Sequence, residues 1–378
     1  MAKGGNKGKS RRRVKDWQVR LEAGEEVEGD LARREKFSPR QVKLGPGAFG
    51  GADDLSDRQQ CDGMVTGVFR RGAFVRVGGE ELFCGLAKTF RPPDGFEHTS
   101  PLAVGDDVRL AMSNPDHQAG QVRLDRNRMD GMILSRRPRR TLLARPQPRS
   151  AKRRDLYDDQ CPVKALVANM DDLLIVAAVA SPPMRRGLID RFLIIAQRGD
   201  LEPVLVVNKI DLGSPEEHIL TDVAEQGVTI LRCSAQSGEG IAELRAKLLN
   251  RRCVLAGASG VGKTSLINAL VPGANAPTRE VRAKDDRGRH TTSQACVYEL
   301  PDGGMIVDTP GLRELGMDIT PAELPWYFPE FESFAPRCKF RDCTHTHEPA
   351  CAVRAAVETG EILPRRYESY LRILETLG

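Results

Sequence analysis

The sequence predicts a multidomain protein. A small five-stranded β-barrel comes first, then an α/β domain with a mainly parallel sheet, then a C-terminal metal-binding domain with helices. Three observations predict this. Short strand-like segments crowd residues 61–128, and apolar runs alternate with helical stretches from about 161 to 316. Three cysteines and two histidines cluster near residue 345. At 378 residues and 40% hydrophobic content, the chain can build two or three cores.

Residues 1–60 are rich in Gly, Lys, Arg and Glu with no sustained period, and are read as a mostly disordered basic arm. The barrel, 61–128, is expected to use Cys61–Arg70, Gly72–Val77, Glu81–Ala87, Asp107–Ala111 and Gln121–Asp125. Arg71-Gly72 and Gly78-Gly79 supply turn chemistry, and Val75 and Val77 alternate with Phe74 and Arg76 at the strand period. The OB-fold is the commonest five-stranded solution, although a small SH3-like barrel would read much the same. Residues 129–160 are basic and carry Pro138, Pro146 and Pro148; they are read as a linker that also touches RNA.

Within 161–320, Leu173–Val179, Val204–Val207, Val228–Cys233, Cys253–Ala256 and Met305–Val307 are apolar runs of buried-strand type. Helical stretches at Leu188–Gln197, Pro215–Gln226, Ile241–Leu249 and Lys263–Leu270 fall between them. That alternation implies a parallel sheet covered on both faces. The tail, 321–378, holds the Cys/His cluster and two helices, near Ala352–Thr359 and Pro364–Leu377.

The net charge is only +5, but it is unevenly placed. Residues 1–20 hold eight Lys or Arg against one acid, and Ile133–Arg154 holds nine and no acid. Such blocks suit a polyphosphate partner. No apolar run approaches the roughly 20 residues needed to span a bilayer, and the basic N-terminus lacks the apolar stretch of a secretory signal. A cytoplasmic protein with no membrane partner is expected, and a monomer. Six of the nine cysteines are scattered and three cluster, which fits a reducing compartment and one metal site better than a disulfide framework.

Four short motifs carry the chemistry. Asn208-Lys209-Ile210-Asp211 comes first, then Cys233-Ser234-Ala235, then Gly257-Ala258-Ser259-Gly260-Val261-Gly262-Lys263-Thr264, then Asp308-Thr309-Pro310-Gly311. The glycine-rich stretch follows a strand and opens a helix, as a phosphate-binding loop must. Its glycines let backbone N–H groups approach phosphate oxygens. Lys263 brings charge to the β- and γ-phosphates, and the Thr264 hydroxyl suits Mg²⁺. The Asp211 carboxylate matches the N1–H and 2-amino donors of guanine, a pair that adenine lacks. Lys209 can lie along the base, Asn208 can brace neighbouring loops, and Ser234-Ala235 places a backbone N–H near the guanine O6. Asp308 is expected to hold Mg²⁺ through a water, and the Gly311 N–H to sense the γ-phosphate.

In an ordinary P-loop GTPase the phosphate loop leads and the guanine-reading motifs trail. Here the order is reversed, so the central domain is expected to be circularly permuted. Between the phosphate loop and Asp308 lies a polar stretch containing Gly288-Arg289-His290-Thr291-Thr292. One of Thr291 and Thr292 is the candidate switch residue that closes on Mg²⁺. Leu312 follows Gly311, where many GTPases carry a water-orienting glutamine. Its side chain cannot hydrogen-bond water. His290 is the internal candidate for that task, since a neutral imidazole can accept a proton or orient a water.

Cys338-x4-Cys343-x-His345-x5-Cys351 offers three thiolates and an imidazole, with His347 as a second choice of imidazole. Four such ligands suit one tetrahedral, structural Zn²⁺. Metal binding would then supply much of the folding energy of so small a domain.

The permuted motif order, the barrel in front and the Cys/His tail behind resemble the ribosome small-subunit-dependent GTPase A family of bacteria. The resemblance spans about 61–378 and includes Gly257–Ser265, Gly288–Thr292 and the Cys338, Cys343, His345, Cys351 spacing. It favours His345 over His347. Ala350 stands where a glycine is usual, and the first 60 residues exceed what the family core needs. The resemblance implies an OB-fold, a permuted GTPase domain that binds GTP and GDP, and a zinc domain. It further implies late action in small-subunit assembly, binding to the subunit and its ribosomal RNA, and faster hydrolysis there. The competing readings are a nucleotide-gated RNA-binding module and a GTPase acting on a non-ribosomal RNA or a protein.

Overall fold

The computed structural model describes residues 58–69, 71–93, 101–112, 129–146, 163–274, 295–309, 317 and 319–377. Residues 1–57 of the expected arm lie outside them, and its last residue, Gln60, already opens the first strand.

Strands β1 (Gln60–Phe69), β2 (Gly72–Val77), β3 (Glu80–Leu86), β4 (Asp107–Met112) and β5 (Gly131–Arg136) close a barrel in the order β1-β2-β3-β5-β4. Neighbours are antiparallel except β3 and β5, which run parallel, as suits an OB-type connection. Val65, Val75, Leu82, Cys84, Val108, Leu110 and Ile133 fill the interior.

The closing strand is not where the sequence reading put it. Gln121–Asp125 lies outside the described residues, and the fifth strand falls in the stretch read as a linker. The arginines there concealed it. Ile133 is fully buried, and Arg136, although charged, ends the strand as a buried residue. Asp106, itself buried, takes two hydrogen bonds from Arg139 at 2.8 and 2.9 Å, lies 4.0 Å from Arg136, and accepts the Ala103 N–H at 2.7 Å. Buried charge is tolerable only when paired in this way. Two of the nine basic residues thus serve the barrel and not a polyanion. Leu142–Pro146 of the expected linker also forms structure, as β6, which pairs antiparallel with β7 (Val163–Ala168).

The central domain contains a six-stranded sheet. Its strands are β8 (Asp172–Ala178), β9 (Glu202–Asn208), β10 (Thr229–Arg232), β11 (Arg252–Gly257), β12 (Cys296–Glu299) and β13 (Met305–Asp308), in the order β10-β9-β8-β11-β13-β12. All are parallel except the edge strand β12. Every residue of β8 is buried, as a central strand covered on both faces requires. One core packs the sheet against α1 (Arg186–Arg198) and α2 (Glu217–Ala224). The other packs it against α3 (Ile241–Leu248) and α4 (Lys263–Leu270). The chain moves outward from β8 to β10, then returns to lay β11 on the other side of β8. That reversal opens a crevice at the carboxyl ends of β8 and β11, the place where such sheets bind ligands.

The C-terminal region has 3₁₀ turns, then α5 (Ala352–Glu358) and α6 (Pro364–Glu375). Phe328, Phe331, Tyr370 and Ile373 form its core, which also takes in Ile194 of α1. Polar groups seal the contact. Asp190 accepts from Arg186 at 3.0 Å, Arg366 at 2.6 Å and Ser369 at 2.5 Å. Asp222 accepts from Arg365 at 2.6 Å and Arg186 at 2.5 Å. The Arg365 hydrogen bond holds the Asp222 carboxyl below its ordinary range, against the upward push of burial. Arg366 also pairs with Glu330. Asp190 and Arg366 are nearly inaccessible, so removing one strands the other. Asp190→Ala is expected to destabilise the protein by about 3 kcal/mol in chemical denaturation. A change below ~1 kcal/mol would show that Glu330 alone satisfies Arg366.

Candidate functional site

The phosphate loop joins β11 to α4 at that crevice. Two of its glycines are required by space as well as by backbone angle. Gly257 has φ +141°, and a Cβ there would lie 2.3 Å from the Val176 carbonyl of β8. Gly262 has φ +95°, and a Cβ there would lie 2.3 Å from Asn208 Nδ2. Lys263 is buried at the mouth of α4 and donates to the carbonyls of Gly257 at 2.8 Å and Ala258 at 2.7 Å. Its ammonium is therefore fixed across the loop it serves. Thr264 is half-buried beside it, and Ser259, Gly260 and Ser265 are exposed.

Asn208 ends β9 and is almost wholly buried. Its amide donates to the Val261 carbonyl in the phosphate loop at 2.9 Å, and its amide oxygen accepts the Ala235 N–H at 3.1 Å. One side chain therefore ties together three motifs from distant stretches of chain. Lys209 adopts φ +62° and donates to the carbonyls of Ser181 and, at 3.4 Å, Ala180. That turn, after β8, is a part of the site that the motif reading missed. Its only sequence signal is Pro182-Pro183 at the end of an apolar run.

Asp211 is exposed, and its carboxylate accepts from the Ser234 hydroxyl at 2.5 Å. Ser234 is fully buried, and its oxygen accepts the N–H groups of Gln236 at 3.2 Å and Ser237 at 3.0 Å. The sequence reading gave Ser234 a backbone role alone; here its hydroxyl also orients the carboxylate. Asn208, Lys209, Asp211, Ser234, Ala235 and the phosphate loop are thus brought together.

Asp308 ends β13 and stands in register with Leu255, two residues before Gly257. It lies half-buried at the same sheet edge as the phosphate loop. A hydroxyl at Thr264 and a carboxylate at Asp308 form a hard oxygen set that fits Mg²⁺. Gly311, Leu312, His290, Thr291 and Thr292 lie outside the described residues. A cavity of about 270 Å³ adjoins the phosphate loop at Ala258, Ser259 and Val261 and continues to Leu188 and Phe192 of α1. Its lining includes none of Asn208, Asp211 or Ser234.

The ligand atoms of Cys338, Cys343, His345 and Cys351 all lie within 4.8 Å of one another. Cys338 and Cys351 Sγ stand 3.9 Å apart, and His345 Nδ1 lies 3.6 and 3.5 Å from them. Two thiolates bound tetrahedrally to one Zn²⁺ would stand about 3.8 Å apart, so the donor set and spacing fit such an ion. His347 is exposed and bonds the Thr346 hydroxyl at 2.8 Å, which leaves His345 as the imidazole in the cluster. Burial pushes the His345 pKa down, favouring the neutral, ligating imidazole. Burial also pushes the Cys343 thiol up to about 12, so an entering ion must displace its proton. The Tyr367 and Tyr370 hydroxyls donate to the His345 and Thr344 carbonyls at 2.6 and 2.7 Å and fix the loop. Ala350 has φ +58°, a conformation that glycine adopts freely and alanine does not.

Residues 136–318 match the family model described as RsgA GTPase. The chain is 41% identical over 334 residues to the small ribosomal subunit biogenesis GTPase RsgA 1 of Vibrio vulnificus, covering 85% of this chain and 88% of that one. It is 40% identical over 279 residues to the small ribosomal subunit biogenesis GTPase RsgA of Gemmatimonas aurantiaca, covering 73% and 84%. Among solved structures it resembles YjeQ from Thermotoga maritima, with TM-score 0.60, 32% identity and coverage of 84% of this chain and 99% of that one. It also shares its fold with YloQ, a circularly permuted GTPase, at TM-score 0.57 and 22% identity, covering 84% and 95%. The permuted sheet, the assembled nucleotide loops and these relationships agree: the chain belongs to the RsgA GTPase family.

Proposed function

We propose that this protein binds the small ribosomal subunit through its ribosomal RNA and hydrolyses GTP to GDP and phosphate there, as a late assembly factor. The observation that carries this reading is the Asn208 side chain, which joins the guanine-reading motifs to the phosphate loop at the sheet's reversal point. The relatives named for small-subunit biogenesis supply the partner. We further divide the chain into arm, barrel, GTPase domain and metal-binding domain. The barrel boundary moves from 128 to about 136 to include β5.

In this reading Asp211 accepts the two guanine donors, Lys209 lies along the base and Ala235 faces O6. Lys263 and the loop N–H groups hold the β- and γ-phosphates. Thr264 and Asp308 would hold Mg²⁺, which when bound neutralises phosphate charge as the terminal bond breaks. His290 orients the attacking water, since Leu312 cannot, and one of Thr291 and Thr292 is the switch residue that would close on Mg²⁺. The metal cluster takes a structural Zn²⁺.

The test is GTP turnover by the purified protein with and without small ribosomal subunits, at low and high salt. Stimulation on the order of 10²-fold is expected, the effect of completing one transition-state contact. It should fade as salt rises, because phosphate contacts release counterions. Tight GTP binding with no stimulation at either salt would overturn the ribosomal partner and favour another RNA or a protein.

A further inference from the structure

The loop between the first two metal ligands carries more than its fold needs. Cys338 and Cys343 bracket Lys339-Phe340-Arg341-Asp342, and Arg337 precedes them. Phe340 is 39% exposed and is not part of the aromatic core of Phe328, Phe331 and Tyr370 that the domain uses to fold. The Lys339 ammonium stands 5.5 Å from the centre of its ring, and the Arg337 guanidinium stands 5.5 Å from that of Phe334. Arg337, Lys339 and Arg341 are all exposed, against the single acid Asp342.

We propose that this tip is a contact for an unpaired RNA base, with Phe340 as its stacking surface and Lys339 and Arg341 as its phosphate contacts. This rests on the reading of RNA as partner and names a residue that meets it. Exposed aromatic area is unfavourable in water, and a base offers it a flat π-face. Cations beside the ring match the phosphates that flank any base. An acidic peptide would satisfy the cations and leave the ring in water, so the combination favours a nucleotide. The loop is also held in place. Cys338 and Cys343 anchor its ends at the metal cluster, and the Lys339 N–H donates to the Ala350 carbonyl at 3.4 Å. A tip ordered before binding loses little entropy on contact.

The experiment compares the full-length protein with F340A, F340L, F340W and the K339A/R341A double variant. Affinity is measured for purified small subunits and for a short single-stranded oligoribonucleotide across a salt series. F340A is expected to weaken binding about 5- to 150-fold, the range measured for loss of one base stack. F340L, which keeps an apolar side chain without a ring, should behave alike, and F340W should restore binding. The salt slope of the Phe340 variants should match that of the parent, whereas K339A/R341A should reduce it by about 1.4 on single strands. Metal content and basal GTP turnover should stay unchanged in all four. Parental affinity of F340A for both probes, or failure of F340W to restore it, would overturn the proposal. Subunits that bind F340A normally would sink this contact and leave the ribosomal reading standing. Oligoribonucleotide binding that depends on Phe340, with no subunit binding, would do the reverse.

Discussion

Replacing Asp211 with asparagine is expected to lower GTP affinity by about 10³-fold and to raise affinity for the xanthine nucleotide. Guanine presents two N–H donors on one edge, and a carboxylate meets both. A carboxamide meets one and turns its own N–H₂ against the other. Xanthine carries a carbonyl where guanine carries the amino group, so the same carboxamide matches it. Asparagine is the informative substitution because its oxygen can still accept the Ser234 hydroxyl, which now bonds Asp211 at 2.5 Å. The loop then keeps its shape, and the change isolates base reading. Competition between labelled GDP and xanthosine diphosphate would decide it. GDP affinity within fivefold of the parent would remove Asp211 from the site.

The second large effect is expected at the metal cluster. Cys351 is buried, sits at the start of α5 and belongs to the aromatic core. Its replacement by serine should release the ion and unfold the C-terminal domain. Binding of a structural zinc ion contributes on the order of 10 kcal/mol, more than a core of this size supplies. Chelation of the parent protein should do the same, and more readily as pH falls, because protons compete for the thiolates. Metal analysis and hydrogen exchange over α6 would read the outcome. A C351S protein that retained one equivalent of zinc and full protection would exclude Cys351 as a ligand.

Much of this was legible in the sequence because each signal had a local physical cause. A buried parallel strand must be apolar on both faces, so β8, β9 and β11 stood out as continuous runs. A phosphate loop needs glycine where the backbone crowds a neighbour, so Gly257 and Gly262 were identified by motif alone. Four metal ligands must lie close together, and here they do so within one short segment. The features not legible in the sequence are nonlocal. The closing barrel strand carries Arg136, which reads as solvent-exposed until Asp106 is known to lie beside it. The edge strand β12 is four residues long, half-exposed and without an apolar run. The Ser181 turn is recognisable only once Lys209 reaches it through space. Asp222 and Asp190, which accept from Arg365 and Arg366, lie on helices from a far earlier stretch of chain.

That last distance bears on how the molecule is made. Arg366 meets Asp190, 176 positions earlier in the chain, and Arg365 meets Asp222, 143 positions earlier. During synthesis the half that carries Asn208 and Asp211 emerges before the phosphate loop, with the carboxylates of α1 and α2 lacking the counterions of α6. The phosphate half follows, and those counterions emerge only after it. Loop closure over such lengths is slow compared with helix formation. Docking of α6 is therefore expected to be a late folding event, so that a nascent or truncated chain holds the guanine-reading motifs without the clamp that fixes their helices.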